Sequence, residues 1–278
     1  MIGIFSGSLL GYGATRVHFP IARVMLSVLA AAVLNAASNG LNQICDLQND
    51  VVNKPHRPLP SRRMSLRKAW AFVIVNYLAA LGMVALVNRE TFVIYAVAAL
   101  ATWVYSAPPI RLKRHPIGSN LTIALIRGWL LKVAGWAAVA PVIHSVEPWY
   151  IGFIYFVFLL GATTTKDFAD IAGDREAGCL TLPVKYGATW SARVIAPFFL
   201  LPWFLMPLGV YLGILSGNAR GIGALSVVML VWGAYVAYLI NEDPHRLVTE
   251  GENHPSWHHM YWMMMVGHLG LAGAYLAR

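Results

Sequence analysis

Charged side chains are scarce in this chain of 278 residues, making up 12% of it against 58% hydrophobic residues. A water-soluble fold of this length cannot hide that much apolar surface, so the composition excludes a soluble globular protein and points to a bilayer. Cysteine is nearly absent: Cys45 and Cys179 are the only two, which excludes a disulfide framework or a cysteine-built metal site. Stretches of about ten residues with alternating polarity are missing, which excludes an outer-membrane barrel and leaves helices. The first residues, Met1 to Gly13, carry neither a basic leader nor a small-residue cleavage site, so they do not read as a signal peptide. The net charge is +9, but the basic residues sit in short loops between apolar runs rather than on one polar face. That pattern suits anionic headgroups and an anionic substrate, and argues against nucleic acid as a partner.

Apolar runs long enough to cross about 30 Å of hydrocarbon occupy residues 20–44, 69–87, 91–109, 119–142, 148–166, 192–215, 221–240 and 257–277. A shorter run lies at 2–13. Together they predict an all-α, polytopic integral membrane protein of about nine transmembrane helices in a single domain over 1–278. The first helix reads as shortened at its N-terminal end. Lysine and arginine number 14 in the segments 50–68, 111–118, 166–193 and 241–256, against four (Arg16, Arg23, Arg89, Arg220) in the alternate loops. The imbalance predicts that the first set is cytoplasmic.

Six of the twelve carboxylates fall in two short segments on that same side. In the first, Asn42, Asp46 and Asp50 are spaced by four and predict one polar stripe on a helix. In the second, Asp167, Asp170 and Asp174 follow at spacings of three and four, with Glu176 just beyond. Carboxylates one turn apart repel each other at the edge of hydrocarbon and call for a cation. Mg²⁺ prefers oxygen ligands and is commonly shared between carboxylates and substrate phosphates. Either cluster alone fits an ordinary solvated helix end making salt bridges; two on one membrane face, each followed by basic residues, favour a diphosphate held between metal ions.

A basic, proline-rich loop follows the first cluster: Asn53-Lys54-Pro55-His56-Arg57-Pro58-Leu59-Pro60-Ser61. Its prolines prevent it from continuing the helix, and Lys54 and Arg57 are close enough to Asp50 to reach an anion there. Further on come Tyr105-Ser106-Ala107-Pro108-Pro109-Ile110-Arg111-Leu112-Lys113 and Lys166-Asp167-Phe168-Ala169-Asp170, ending in Gly173-Asp174-Arg175. This ordered set resembles the UbiA superfamily of intramembrane prenyltransferases. Its loop and the stretch Gly173–Gly187 look most like the digeranylgeranylglyceryl phosphate synthase and chlorophyll synthase branches.

The resemblance implies helices around a central cavity that opens sideways to lipid, under a cytoplasmic cap. It implies that Asp46, Asp50, Asp170 and Asp174 carry catalysis by binding Mg²⁺, with Asp167 as a further metal ligand. It also implies that Asn42, Lys54, Arg57, Arg111 and Lys113 surround the diphosphate. The expected reaction is Mg²⁺-dependent transfer of a prenyl group from an isoprenoid diphosphate, geranylgeranyl diphosphate in the first instance, to a lipophilic acceptor such as geranylgeranylglyceryl phosphate. A terpene cyclase of the same family and an aromatic, quinone-precursor prenyltransferase are the alternatives. A transporter should carry its charges along a path near the midplane instead.

Two cations fall inside apolar runs, Arg127 and Lys132, where a charge must face a cavity or snorkel. Arg127 suits either an anionic group on the acceptor or a buried aspartate. The aromatic residues Tyr77, Trp103, Tyr105, Trp129, Trp136, Tyr155 and Phe158 read mainly as packing. His254, His258, His259 and His268 read as interfacial, since no carboxylate or cysteine accompanies them.

Overall fold

Apolar patterning at helical period is realised in chain order. The computed structural model describes residues 1–176 and 178–278, and the side chains of Asn49, Val52 and Asn53 also lie outside its description. Among the described residues every regular element is a helix. The first five are α1 (Ile2–Thr15), α2 (Ile21–Cys45), α3 (Leu47–Asn53), α4 (Leu66–Ala85) and α5 (Arg89–Ser106). Then come α6 (Pro116–Ala124) and α7 (Leu131–Ala137), joined by a π-helical turn over Leu125–Leu130. The middle of the chain holds α8 (Glu147–Ala162), α9 (Thr164–Ala169), α10 (Ile171–Glu176), α11 (Leu182–Tyr186) and α12 (Ala188–Ile195). The last four are α13 (Leu201–Tyr211), α14 (Ala219–Glu242), α15 (Pro244–Glu250) and α16 (Pro255–Leu276).

Five stretches are long and apolar enough to cross a bilayer: Ile21–Cys45, Leu66–Ala85, Glu147–Ala169, Ala188–Tyr211 and Ala219–Glu242. The other expected spans fall short for physical reasons. α1 has 14 residues, α5 opens on the charged pair Arg89 and Glu90, α6 and α7 are divided by the π turn, and α16 carries three histidines. The spanning helices are apolar outside as well as inside, as a lipid solvent requires. On α2, Ile21, Met25 and Leu29 are exposed at steps of four while Ala30, Leu34, Ala37 and Leu41 are buried; on α14, Val227, Val231 and Tyr235 face out while Met229, Val236 and Ile240 face in.

Side-chain caps start several helices where the sequence supplies them. Asn88 Oδ1 accepts the Thr91 N–H at 2.8 Å to open α5, and Asn218 Oδ1 accepts the Gly221 N–H at 2.9 Å to open α14. Glycines set the closest helix contacts, which is how helices associate when lipid offers no hydrophobic drive. A Cβ on Gly135 of α7 would lie 2.2 Å from the Ile4 carbonyl oxygen, and one on Gly7 of α1 would lie 2.7 Å from that of Lys132. Ser8 Oγ donates to the Gly135 carbonyl at 2.8 Å across the same seam. At the far end, Glu147 fastens three segments: it accepts the Ser216 N–H at 2.6 Å and hydroxyl hydrogen bonds from Ser216 and Tyr275.

The α1–α7 seam yields a stability test. Gly135→Ala is expected to cost about 1–3 kcal/mol through backbone overpacking, read as a lower melting temperature in detergent. Gly223→Ala on α14, where an added Cβ meets nothing within 4 Å, should melt no lower than wild type. Equal melting of the two variants would remove the close-packing account.

Candidate active site

Both aspartate motifs break a helix at their middle carboxylate, and they do so in the same backbone conformation. Asp46 (φ −100°, ψ 5°) separates α2 from α3, and Asp170 (φ −98°, ψ 8°) separates α9 from α10. Four-residue hydrogen bonds run through the break at Asp46 and resume beyond the one at Asp170. Asp46 N–H donates to the Asn42 carbonyl at 3.0 Å, Asp50 N–H to Asp46 at 2.8 Å, and Asp174 N–H to Asp170 at 2.8 Å. Asn42, Asp46 and Asp50 therefore keep the common face that their spacing predicts, and the two motifs share one local plan.

The first motif is neutralised by cations from elsewhere in the chain. Asp46 Oδ1 accepts from Arg111 Nη2 at 2.6 Å and from Lys113 Nζ. Lys113 also donates to Asn42 Oδ1 at 3.0 Å, and Arg111 to the Cys45 carbonyl at 3.1 Å. Arg111 itself sits in the left-handed region (φ 47°), a conformation that side chains adopt at a cost unless their surroundings hold them. Arg57 Nη1 reaches Asp50 Oδ2 at 2.6 Å, with the aspartate buried. The residues expected around a diphosphate are thus brought onto the residues expected around a metal. Lys54 makes no ion pair among the described residues.

Compensation at the second motif is weaker. Lys166 Nζ lies 3.6 Å from Asp170 Oδ2, and with the lysine 62% and the aspartate 38% exposed, water screens the pair. Asp167 Oδ2 is shut off from solvent and has no hydrogen-bond partner among the described residues. Burial, and next the Asp170 carboxylate beside it, push the Asp174 carboxyl up to about 6, with the ammonium groups of Lys166 and Lys54 acting against them.

Among the described residues, no three carboxylate, histidine or cysteine side chains converge closely enough to hold a metal by themselves. Mg²⁺ does not demand such a cage: it takes one or two carboxylates and fills its octahedron with water and phosphate oxygens. The donors present are hard oxygens, and Asp167, Asp170 and Asp174 carry charge that the chain leaves largely uncompensated. The residues fit the ion, most clearly at the second motif.

Behind the motifs lies a cavity of about 770 Å³. Asn42 and Lys166 line it beside the aspartates, and its walls include Ile94, Tyr95, Tyr105, Phe158, Leu159, Met260 and Met264. Of the seven aromatics singled out in the sequence, Tyr105 and Phe158 are in that lining. Lys132 is absorbed by packing instead: it donates to Ser6 Oγ at 2.7 Å and lies 4.4 Å from the Tyr155 ring centroid. His254 caps α16 through the Ser256 N–H.

Two contributors escaped the sequence reading. Lys166 was visible as a partner four residues before Asp170, but nothing in its spacing revealed that it faces the cavity. Cys179 gave no signal at all. Its N–H donates to the Asp174 carbonyl at 2.8 Å, and the neighbouring Leu180 N–H reaches the Arg114 carbonyl at 3.0 Å, tying the loop after the second motif to the loop that carries Arg111 and Lys113. Burial pushes its thiol up, and the charges of Asp174, Lys113, Asp46 and Arg111 all act on it, so it sits between the two motifs.

The raised Asp174 carboxyl has a definite pH signature. The fold favours its protonated form, so in EDTA the protein loses stability as pH rises from about 4 to above 6. Asp174→Asn should flatten that slope in thermal unfolding, and Mg²⁺, which competes with the proton, should raise wild-type melting most at the high-pH end. Identical slopes for variant and wild type in EDTA would refute the assignment.

The sequence profile of the UbiA prenyltransferase family matches residues 3–250. A digeranylgeranylglyceryl phosphate synthase from Methanopyrus kandleri is 31% identical over 77% of this chain and 79% of its own length. A chloroplastic homogentisate solanesyltransferase from Arabidopsis thaliana is 30% identical over 76% of this chain and 58% of its own. The chain spans from 41% to 80% of the length of relatives of this kind. In fold it is similar to a UbiA homolog from Archaeoglobus fulgidus bound to GPP and Mg²⁺, with a TM-score of 0.76 and 20% identity over 100% of this chain and 96% of the other. Helices long and apolar enough for a bilayer, twin aspartate breaks over a cavity and a profile match across most of the chain lead to one conclusion: this integral membrane protein belongs to the UbiA prenyltransferase family.

Proposed function

We propose that the chain, as one domain over 1–278 with nine membrane-crossing segments, transfers a prenyl group from an isoprenoid diphosphate to a lipophilic acceptor at the cytoplasmic membrane face. The observation that carries this reading is the pairing of two like-built aspartate breaks, ringed by Lys54, Arg57, Arg111, Lys113 and Lys166, with an apolar cavity behind them. The cytoplasmic side is supported by the basic loops. The name of the Methanopyrus kandleri relative supports a geranylgeranyl donor with geranylgeranylglyceryl phosphate as acceptor, and that of the Arabidopsis thaliana relative supports an aromatic quinone precursor as acceptor with a different prenyl donor.

In this reading Asp46, Asp50, Asp167, Asp170 and Asp174 hold Mg²⁺ and thereby orient the diphosphate. Bound Mg²⁺ supplies neutralisation of the diphosphate oxygens, which makes the diphosphate a better leaving group. Lys54, Arg57, Arg111 and Lys113, with the Asn42 amide, add charge-assisted hydrogen bonds to the same oxygens. The bond between C1 of the prenyl chain and the diphosphate oxygen breaks, and its electron pair leaves with the diphosphate. A carbon or oxygen nucleophile of the acceptor donates a pair to C1, and the acceptor loses a proton. Tyr105 and Phe158 line the cavity where the allylic cation forms, and the apolar wall keeps water from capturing it.

The test is diphosphate release from geranylgeranyl diphosphate by purified protein in detergent with Mg²⁺. Release that depends on acceptor and falls by at least about 10²-fold in Asp46→Ala and Asp174→Ala supports the transferase. Release without acceptor, yielding a cyclic hydrocarbon or alcohol, makes the chain a cyclase. Full activity in both variants would dismiss the metal-site assignment.

A further inference from the structure

The cavity has a second polar feature. The helix from Pro116 to Ala137 presents Ile123, Ile126, Arg127, Leu130, Leu131 and Ala134 to it, one face at helical spacing in which Arg127 is the only polar residue. Arg127 lies in the π-helical turn Leu125–Leu130, a distortion that marks functional positions more often than ordinary helix does. Packing fixes the turn: a Cβ on Gly128 would lie 2.7 Å from both the N and the Cα of Phe156 on α8. Among the described residues Arg127 makes neither an ion pair nor a hydrogen bond. The alternative raised by the sequence, a buried aspartate as its partner, is therefore not realised.

Arg127 is exposed on this cavity face, and a guanidinium carried on an apolar membrane helix faces a cavity or an anion rather than lipid. α2 offers complementary groups on the same cavity. Asn35, Ser38, Asn39 and Asn42 line it at steps of three, one and three, which is a single face continuing the stripe of Asp46. Asn35 and Asn39 are exposed to the cavity and make no side-chain hydrogen bond among the described residues. Arg127 follows Pro116 by about 16 Å of helical rise, and Asn35 precedes Asp46 by about the same, so both lie below the aspartate edge at similar depth. Helical side chains lean toward the N-terminus, which for α6 is the end next to Lys113, so the guanidinium is directed back toward the site of bond breaking. A molecule held there by an anionic end can extend its nucleophile to the prenyl C1.

We propose that Arg127, assisted by the Asn35 and Asn39 amides, binds the anionic group of the prenyl acceptor, a carboxylate or a phosphate, and so selects charged acceptors over neutral ones. This rests on the transferase reading above and deepens it. The fork of guanidinium donors matches both oxyanions, and a lysine matches them less well.

The experiment uses full-length protein with geranylgeranyl diphosphate and Mg²⁺, and two anionic acceptors: homogentisate as the aromatic carboxylate and geranylgeranylglyceryl phosphate as the lipid phosphate. Each is paired with its neutral counterpart, homogentisate methyl ester and geranylgeranylglycerol. Whichever anion wild type prenylates identifies the source of the oxyanion. For that acceptor Arg127→Gln should raise KM at least about tenfold, the loss of one charge-assisted interaction, and Arg127→Lys should fall between the two. KM for the donor should stay within about twofold, and the variant should remain as poor with the neutral counterpart as wild type is, because the residue acts on acceptor charge alone. Melting of Arg127→Gln at or above wild type separates this from a folding defect, since an unpaired cation is being removed. The proposal fails if KM for the anionic acceptor is unchanged, if charged and neutral acceptors lose equally, or if wild type prenylates neither anion. Donor binding is measured separately by tryptophan quenching, so wild-type protein that does not bind the diphosphate indicts the donor-site reading instead.

Discussion

Carboxylates at the edge of hydrocarbon must find positive charge, and the organisation of this chain follows from that requirement. Asp46 draws in Arg111 and Lys113 from more than sixty residues away, and Asp50 takes Arg57 from the next loop. Those ion pairs bring the loop after α5 and the proline-rich loop after α3 onto the aspartates at the end of α2 and in α3. Where the described residues supply too little cation, at Asp167, Asp170 and Asp174, a buried oxygen of Asp167 is left without a partner, and burial together with the Asp170 carboxylate raises the Asp174 carboxyl. Among the described residues the first motif is neutralised by protein cations and the second is not. In the proposed reading, a diphosphate that enters with Mg²⁺ brings negative charge for those cations and positive charge for the carboxylates of both motifs.

The helical breaks contribute to this arrangement. An unbroken helix would carry its aspartates past the membrane edge along a straight axis. A residue in the bridge region at Asp46 and at Asp170 lets the chain turn, and at Asp46 the four-residue hydrogen bonds continue, so Asp46 and Asp50 stay on the stripe that Asn42 begins. Two segments separated by about 120 residues thus use the same backbone conformation.

Much of this was legible from residues alone. The apolar runs match the helices closely, because burial in lipid leaves a compositional record along each segment; α2, α4 and α14 begin within three residues of their runs. The aspartate stripes were legible because a spacing of four has one meaning on a helix. What remained hidden were relations that spacing does not encode. The Glu147 clip to Tyr275 joins positions 128 apart, and the Cys179 backbone tie depends on where two loops meet. The π turn around Arg127 lies where Gly128 packs closely against α8, a contact that only the assembled fold shows. The count of spans was the least secure inference, since α5, α6, α7 and α16 mix polar and charged residues into their apolar faces.

In the proposed reading, metal and diphosphate are held as one unit between the two motifs. This is tested most directly by equilibrium binding of a non-ionising thiodiphosphate analogue of the donor, titrated calorimetrically with and without Mg²⁺. The account predicts that Mg²⁺ tightens analogue binding at least about tenfold, that the analogue tightens Mg²⁺ binding by the same factor, and that Asp170→Ala abolishes the coupling. Analogue affinity that is indifferent to Mg²⁺ in the wild-type protein would contradict it.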